Sequence, residues 1–254
     1  MTTYEESLDG AIGYFDNRFR TLKAETSSVR VLDFGCGSGQ MVRKLRALGY
    51  DAYGCDAWTQ LRAERPPEDA YLLEISTNPY RLPYNDGTFD FVVSTSVFEH
   101  AQNKEQCFRE IYRILKPGGY SLHIYPGKWY LPSEPHIYVP LVNWFWPAVP
   151  RWWLALWAFS GVRNEYQQGK TWREVTEDNA RYCTSGLSYW STRRYRRISA
   201  EIFGNSRFPM EFFIEHVGGG FNRLVKKFPR FTWHMFGAIM REFRMGVLQQ
   251  QKAK

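Results

Sequence analysis

The feature that most constrains this chain is an apolar strand that runs directly into a glycine-rich loop. Residues 31–34 read VLDF and residues 35–39 read GCGSG, after which a helical pattern covers 40–49 and an alternating segment covers 50–56. Strand, glycine turn, helix and strand in this order form the repeating unit of a parallel α/β sheet. The chain is therefore predicted to fold as a doubly wound α/β protein.

The same alternation continues on both sides of this unit. The polar segment 4–24 carries Leu8, Ile12, Phe15 and Phe19 at spacings of three to four residues, which predicts an amphipathic leading helix. Further strands are predicted at 70–75, 89–94, 120–125, 210–215 and 243–249, and further helices at 103–115 and 193–203. Together with the first two strands, these elements predict a sheet of seven strands.

Residues 126–190 interrupt the alternation and hold eight of the ten tryptophans. We expect one domain with a leading helix over 1–27, a core over 28–126, an aromatic-rich helical insertion or lid over 127–190, and the end of the sheet over 191–254. The longest apolar run of the insertion, WWLALWAFSGV, is about half the length needed to cross a bilayer. The Trp-rich stretch 144–158 has three interpretations: a packed lid, an apolar acceptor tunnel, or a segment that dips into a lipid surface.

Charge is distributed unevenly along the chain. Residues 1–125 hold 14 Lys/Arg and 17 Asp/Glu, a net charge of −3, whereas residues 126–254 hold 19 and 9, a net charge of +10. The second half is therefore expected to face an anion. The four cysteines form no CxxC pair, which argues against a zinc cluster, and the first residues have no signal-peptide pattern. We expect a cytoplasmic protein, with peripheral contact at the inner membrane face through 144–158 as a further expectation.

The acids beside the glycine loop predict the chemistry of its ligand. Asp33 lies two residues before the first glycine of the loop, where it would repel a pyrophosphate and attract a cation. Asp56 ends the next strand, where a carboxylate can accept both hydroxyls of a ribose. The third glycine comes one residue too early for the loop of pyridine-nucleotide proteins. This combination favours S-adenosylmethionine (SAM), which has a sulfonium and an ammonium but no phosphate.

Three segments resemble a known family. VLDFGCGSGQ (31–40) resembles motif I of the class I SAM-dependent methyltransferases, and Asp56 matches the acid that ends their second strand. LPYNDGTFDFVVSTSVFEH (82–100) and REIYRILKPGGYSLHIYP (109–126) are similar to later motifs of the type 11 branch. The resemblance covers about residues 28–126 and implies a Rossmann-like fold, in which the last of seven strands is antiparallel. It also implies SAM as cofactor and methyl transfer as activity.

The resemblance also implies which residues contact the cofactor. Asp33 and the loop would shape the methionine end of the site, Asp56 would hold the ribose, and Asn78 would take the place of the acid that contacts adenine. The implied cofactor contacts are Asp33, Gly35, Cys36, Gly37, Gly39, Asp56, Ala57, Trp58, Asn78, Thr95 and Ser96.

Two histidines are candidates for the base that would take a proton from a hydroxyl acceptor. His136 follows the fifth strand, with Glu134 close enough to orient it or to contact the acceptor, and His100 follows the fourth strand. Glu99-His100 lies where ubiquinone-type O-methyltransferases carry E-x-x-E-H, but Ser96 stands in place of the first acid. Because adjacent Glu and His side chains rarely complete a site alone, no metal is expected.

Basic residues on the helix near 193–203 are candidates for binding the acceptor. Guanidinium groups bind carboxylate or phosphate in a bidentate manner, and Tyr195 could stack on a sugar face. The candidates are Arg193, Arg194, Arg196 and Arg197. Together with the net charge of the second half, they predict O-methylation of an anionic saccharide or lipid-linked saccharide.

Three alternatives remain. A hydrophobic quinone or lipid acceptor at a membrane surface would explain the Trp-rich stretch, and a non-catalytic SAM-binding protein would share the cofactor motifs. Nucleic acid is disfavoured as a partner, because the basic patch is short and no K-D-K-E order is present.

Overall fold

The structure, a computed structural model, describes residues 4–23, 29–57 and 70–254. Its strands are β1 Arg30–Phe34, β2 Asp51–Asp56, β3 Leu72–Glu74, β4 Ser76–Thr77, β5 Tyr80–Arg81, β6 Phe89–Thr95, β7 Leu115–Pro126 and β8 Met245–Gln251. Its helices are α1 Tyr4–Leu22, α2 Gln40–Ala47, α3 Lys104–Ile114, α4 Val142–Phe145, α5 Arg151–Phe159, α6 Trp172–Arg181, α7 Thr192–Phe203, α8 Met210–His216, α9 Gly220–Val225 and α10 Trp233–Phe243.

The described strands form a six-stranded sheet in the order β3-β2-β1-β6-β7-β8, beside a small β4–β5 hairpin. All neighbours in the sheet are parallel except β8, which runs antiparallel to β7. The order reverses between β1 and β6, and in open α/β sheets ligands bind at the carboxyl ends of the strands at such a point. The predicted α/β fold with an antiparallel last strand is confirmed, with one strand fewer among the described residues.

The missing strand is the one predicted at 210–215, and that prediction is wrong. The segment is helix α8, in which Met210, Phe213 and Ile214 are buried. Their spacing of three and four residues places them on one face of a helix, whereas a strand would bury every second residue. This face packs against the leading helix, where the rings of Tyr14 and Phe213 meet edge to face at 5.6 Å.

Two apolar clusters cover the two faces of the sheet. On one face α1 buries Leu8, Ile12, Phe15 and Phe19, as the spacing predicted. On the other face α3 and α7 pack together around side chains that include Phe98. Because the sheet is covered on both faces, its strand ends are the place where ligands can approach.

The segment that follows β7 has a small core of its own, which includes Val142, Leu154 and Leu187. Helices α5 and α6 pack on each other within it. Trp152, Leu156 and Phe159 instead point to solvent from one face of α5, with exposed fractions of 64%, 52% and 75%. No helix in the described part of the chain is long and apolar enough to cross a membrane.

Candidate functional site

The loop after β1 is held in a tight turn against β2. The amide of Gly35 donates to the carbonyl of Cys55 at 2.8 Å, and the amide of Gly39 donates to the carbonyl of Cys36 at 2.8 Å. Gly35, Gly37 and Gly39 have φ angles of 77°, 51° and 80°. These left-handed conformations favour glycine, which explains the GxGxG spacing in physical terms.

Two carboxyl groups flank the loop. Asp56 accepts hydrogen bonds from the amides of Gly37 and Ala57, both at 2.6 Å, and thereby ties the loop to the end of β2. Asp33 is buried, and burial together with the charge of Asp56 raises its pKa to about 8. Because a cation nearby favours the ionised form of a carboxyl group, this site is suited to a positively charged ligand.

The other predicted cofactor contacts lie at different distances from this loop. Cys36 is buried within the loop itself, and its Sγ lies 2.8 Å from where a Cβ on Gly54 would stand. Thr95 ends β6, and Ser96 follows it with a φ of 52°. Asn78 is exposed in the turn between β4 and β5, and Trp58 lies outside the described residues. Their roles toward the cofactor stay predictions.

The chain that leaves β6 connects the loop to the histidines. Val97 packs directly against Gly35, and the amide of His100 donates to the carbonyl of Val97 at 3.0 Å. His100 therefore lies one turn beyond a residue that contacts the glycine loop. This places the histidine at the same edge of the sheet as the cofactor loop.

His100 and His136 meet through their Nε2 atoms, which are 3.3 Å apart. The Nδ1 of His100 bonds to the carbonyl oxygen of Gly186 at 2.8 Å, and the Nδ1 of His136 bonds to Oε1 of Glu134 at 2.8 Å. Both partners are acceptors, so both Nδ1 atoms carry hydrogen. The two Nε2 atoms are the free functional groups of the pair. The structure thus brings together both predicted base candidates.

Glu134 is fully buried, and both of its carboxylate oxygens accept hydrogen bonds from other protein groups. Besides His136 Nδ1, its carboxylate accepts from the amides of His136 and Ile137 and from the hydroxyl of Tyr189 at 3.0 Å. Burial raises its pKa, but these hydrogen bonds and the charge of His136 outweigh burial and leave the pKa below its usual value. We therefore assign Glu134 to orienting His136 and not to contacting an acceptor.

The pKa values of His100 and His136 are shifted in opposite directions. Burial lowers the pKa of His100. Burial also acts to lower the pKa of His136, but the hydrogen bond to Glu134 and its charge outweigh this and leave the pKa raised. In the absence of another ligand, a proton shared by the pair is therefore held on His136 and donated to His100.

Sequence reasoning missed several groups around this pair. Tyr189 and Gly186 come from the segment before α7 and bond to Glu134 and His100. Lys104 is fully buried, donates to the carbonyl of Ser188, and has a pKa that burial lowers to about 7. None of these residues carries a sequence motif, because only the folding of distant segments onto β6 brings them together.

Helix α7 carries the predicted basic residues and begins just after the segment that bonds to Glu99 and His100. Arg193, Arg194, Arg196 and Arg197 are exposed, as acceptor-binding residues would have to be. Tyr195 is instead 2% exposed, and its ring packs among the aromatic side chains under the sheet. The expectation that Tyr195 stacks on a sugar is wrong, because it lies on the face of α7 that covers the core.

Comparison with known proteins agrees with this geometry. A methyltransferase domain family matches residues 32–122. A demethylmenaquinone methyltransferase of Thermus thermophilus is 34% identical over 104 residues, 39% of this chain and 47% of that protein. A malonyl-(acyl-carrier protein) O-methyltransferase of Enterobacter lignolyticus is 31% identical over 90 residues, 35% of this chain and 36% of that protein. The crystal structure of a SAM-dependent methyltransferase from Mesorhizobium loti has a TM-score of 0.53 at 16% identity, covering 96% of this chain and 100% of that one.

Residues 32–122, just over a third of the chain, match the type 11 methyltransferase domain family, whose members use SAM. The match confirms the predicted resemblance and cofactor over these residues, and the solved methyltransferase structure confirms the predicted fold. The chain spans about half or less of the length of the two curated relatives described above. The named relatives act on different acceptors, and none of their names indicates a saccharide.

Asp56 offers a direct test of how the cofactor is held. We expect Asp56→Ala to weaken SAM binding by about 1–3 kcal/mol, because charge-assisted hydrogen bonds to the ribose are lost. Calorimetric titration of the variant with SAM measures this. Asp51→Ala is the matched control, since Asp51 lies at the opposite end of β2 and pairs with Arg30 at 2.8 Å. Equal SAM affinity of Asp56→Ala and the wild type would refute the ribose contact.

Proposed function

We propose that this protein is a SAM-dependent O-methyltransferase whose acceptor hydroxyl meets the pair His100 and His136. The observation that carries the proposal is the position of this pair, since His100 lies three residues beyond Val97, which packs on Gly35. A cofactor bound at the loop and an acceptor held by the histidines would then meet at one edge of the sheet. Methyl transfer depends chiefly on such alignment.

The reaction is an in-line displacement at the methyl carbon of SAM. The acceptor oxygen forms a bond to this carbon while the carbon–sulfur bond breaks, and the bonding pair stays on sulfur. The sulfonium becomes the neutral thioether of S-adenosylhomocysteine, and the acceptor loses its proton. The free Nε2 of the His100–His136 pair accepts this proton, and Glu134 holds the His136 ring in place.

We propose an anionic saccharide, free or lipid-linked, as the acceptor class. Arg194 stacks on Trp190 at 4.2 Å from the ring centroid, and the Nζ of Lys104 lies 5.3 Å from the same ring. The adjoining Ser188 donates its amide to the carbonyl of Glu99 at 2.6 Å, so this basic end of α7 is close to the histidine pair. In this proposal the guanidinium group of Arg194 binds a carboxylate or phosphate of the acceptor.

A hydrophobic acceptor at a membrane surface is the second candidate. Trp152, Leu156 and Phe159 form an exposed apolar face on α5, and Arg151 precedes it. Such a face with aromatic and basic residues suits the headgroup region of a bilayer. This arrangement would support a quinone or lipid phenol as acceptor.

The two candidates are distinguished by incubating the protein with methyl-labelled SAM and two matched acceptor panels. One panel contains acidic glycans and their neutral counterparts, and the other contains hydroquinones in anionic and neutral vesicles. Label in acidic but not neutral glycans supports the anionic saccharide. Label only in hydroquinones, lost when Trp152 and Phe159 are replaced by Ser, supports the second candidate. Absence of label from both panels overturns both acceptor proposals.

A further inference from the structure

The two Nε2 atoms of the histidine pair face each other without a hydrogen between them if both rings are neutral. Each ring has its hydrogen on Nδ1, because Nδ1 bonds to the Gly186 carbonyl in His100 and to the Glu134 carboxylate in His136. Two lone pairs at 3.3 Å repel each other. A cation between them, either a proton or a metal ion, removes this repulsion.

A third ligand group stands beside the pair. Glu99 is 2% exposed, and neither of its carboxylate oxygens has a hydrogen-bond partner among the residues that the structure describes. Its Oε1 lies 4.0 Å from Nε2 of His100, and one ligand atom from each of Glu99, His100 and His136 fits within 4.8 Å of the others. A buried carboxylate without a partner is costly, and a bound cation is one way to satisfy it.

The distances suit a zinc-like ion. Two imidazole nitrogens bound at about 2.0–2.1 Å in tetrahedral geometry stand about 3.3 Å apart, which matches the separation of the Nε2 atoms in the pair. To bind an ion held between the two Nε2 atoms, a carboxylate oxygen of Glu99 would have to move toward the ion by less than about 1 Å. Three protein ligands leave one position open, as in catalytic zinc sites.

The surroundings of the ligands support the same conclusion. Metal-bound histidines usually donate their other ring N–H to a carboxylate or a backbone carbonyl, which fixes the ring and its tautomer. His136 donates its Nδ1–H to the carboxylate of Glu134, and His100 donates its Nδ1–H to the carbonyl of Gly186. The carboxylate of Glu134 also accepts a hydrogen bond from Tyr189. The sequence did not predict this site because one ligand, His136, comes from the segment after β7, whereas the family pattern has an acid at the position of Ser96.

From these contacts we propose that Glu99, His100 and His136 bind a divalent transition-metal ion of the zinc type, with its open position toward the acceptor. The proposal deepens the proposed function and partly rests on it, because an ion there would lower the pKa of an acceptor hydroxyl. With the ion bound, neither Nε2 is available as a base, and the proton of the metal-bound hydroxyl would pass to solvent before the methyl group is transferred. The metal site itself is testable without any acceptor.

The test uses the full chain after treatment with a chelator. Zn²⁺ is titrated by competition with a chromophoric chelator, and Co²⁺ is added separately to record the visible bands of a tetrahedral site. We expect one ion per chain. His100→Ala, His136→Ala and Glu99→Gln should each lower affinity at least about 100-fold, and Glu134→Gln should lower it about 10–100-fold through the orientation of His136. His234→Ala is the matched control, since His234 is an exposed histidine on α10.

Folding of each variant is checked by circular dichroism, and zinc should raise the Tm of the wild type but not of Glu99→Gln. No bound ion in the wild type, or equal affinity in the wild type and the three ligand variants, overturns the metal site. Methyl transfer that persists undiminished in the metal-free protein also overturns its role toward the acceptor while leaving the proposed function intact. One bound ion without transfer to any acceptor supports the site and counts against the proposed function.

Discussion

His136→Ala is expected to lower the rate of methyl transfer about 10²–10⁴-fold while SAM affinity changes by less than about twofold. The residue lies beside His100 and Glu134, and its described contacts do not include the glycine loop. In the proposed function, His136 acts on the acceptor and not on the cofactor, whether its Nε2 takes a proton or holds a metal ion. Initial rates with labelled SAM, together with calorimetric titration of SAM, measure both quantities.

Two companion variants define what the result means. His100→Ala should produce a comparable loss, because its Nε2 is the partner of Nε2 in His136 at 3.3 Å. His234→Ala should keep the wild-type rate, since it removes an exposed imidazole outside this cluster. A large loss in His100→Ala with near-normal turnover in His136→Ala would reverse the two roles. Normal turnover in both would mean that alignment alone drives transfer, and a nitrogen or carbon acceptor would then replace the hydroxyl.

Gly35→Val is expected to abolish measurable SAM binding and to lower the free energy of unfolding by about 2–5 kcal/mol. Gly35 has a φ of 77°, which a β-branched side chain strongly disfavours. A Cβ at this position would overlap Val97, with 2.7 Å to its Cγ1. Val97 could yield only by moving the segment that leads to His100. Chemical denaturation and SAM calorimetry measure the two effects.

Gly37→Ala separates backbone strain from steric overlap. Gly37 has a φ of 51°, but a Cβ there would meet no described atom within 4 Å. We therefore expect this variant to lose only about 1–2 kcal/mol of stability, the cost of a left-handed conformation. Equal stability losses in Gly35→Val and Gly37→Ala would show that contact with Val97 is not what makes Gly35 sensitive.

Local patterns in the sequence determined the cofactor half of this protein. The run from Val31 to Asp56 predicted the strand, the glycine turn, the helix and the second acid in their observed order. The four apolar residues of α1 are buried as their spacing predicted. Such features follow from interactions between near neighbours, since backbone conformation and helical periodicity are properties of a few consecutive residues.

Only the tertiary structure determines which residues of the second half of the chain are buried and which of them meet at the histidine pair. Met210–His216 is a helix whose buried side chains face α1, and Tyr195 is buried because its side of α7 covers the sheet. The meeting of His100 with His136, 36 positions later in the chain, depends on how the segment after β7 folds back over β6. Contacts between segments so far apart arise from packing, and packing leaves no local spacing in the sequence from which it could be predicted.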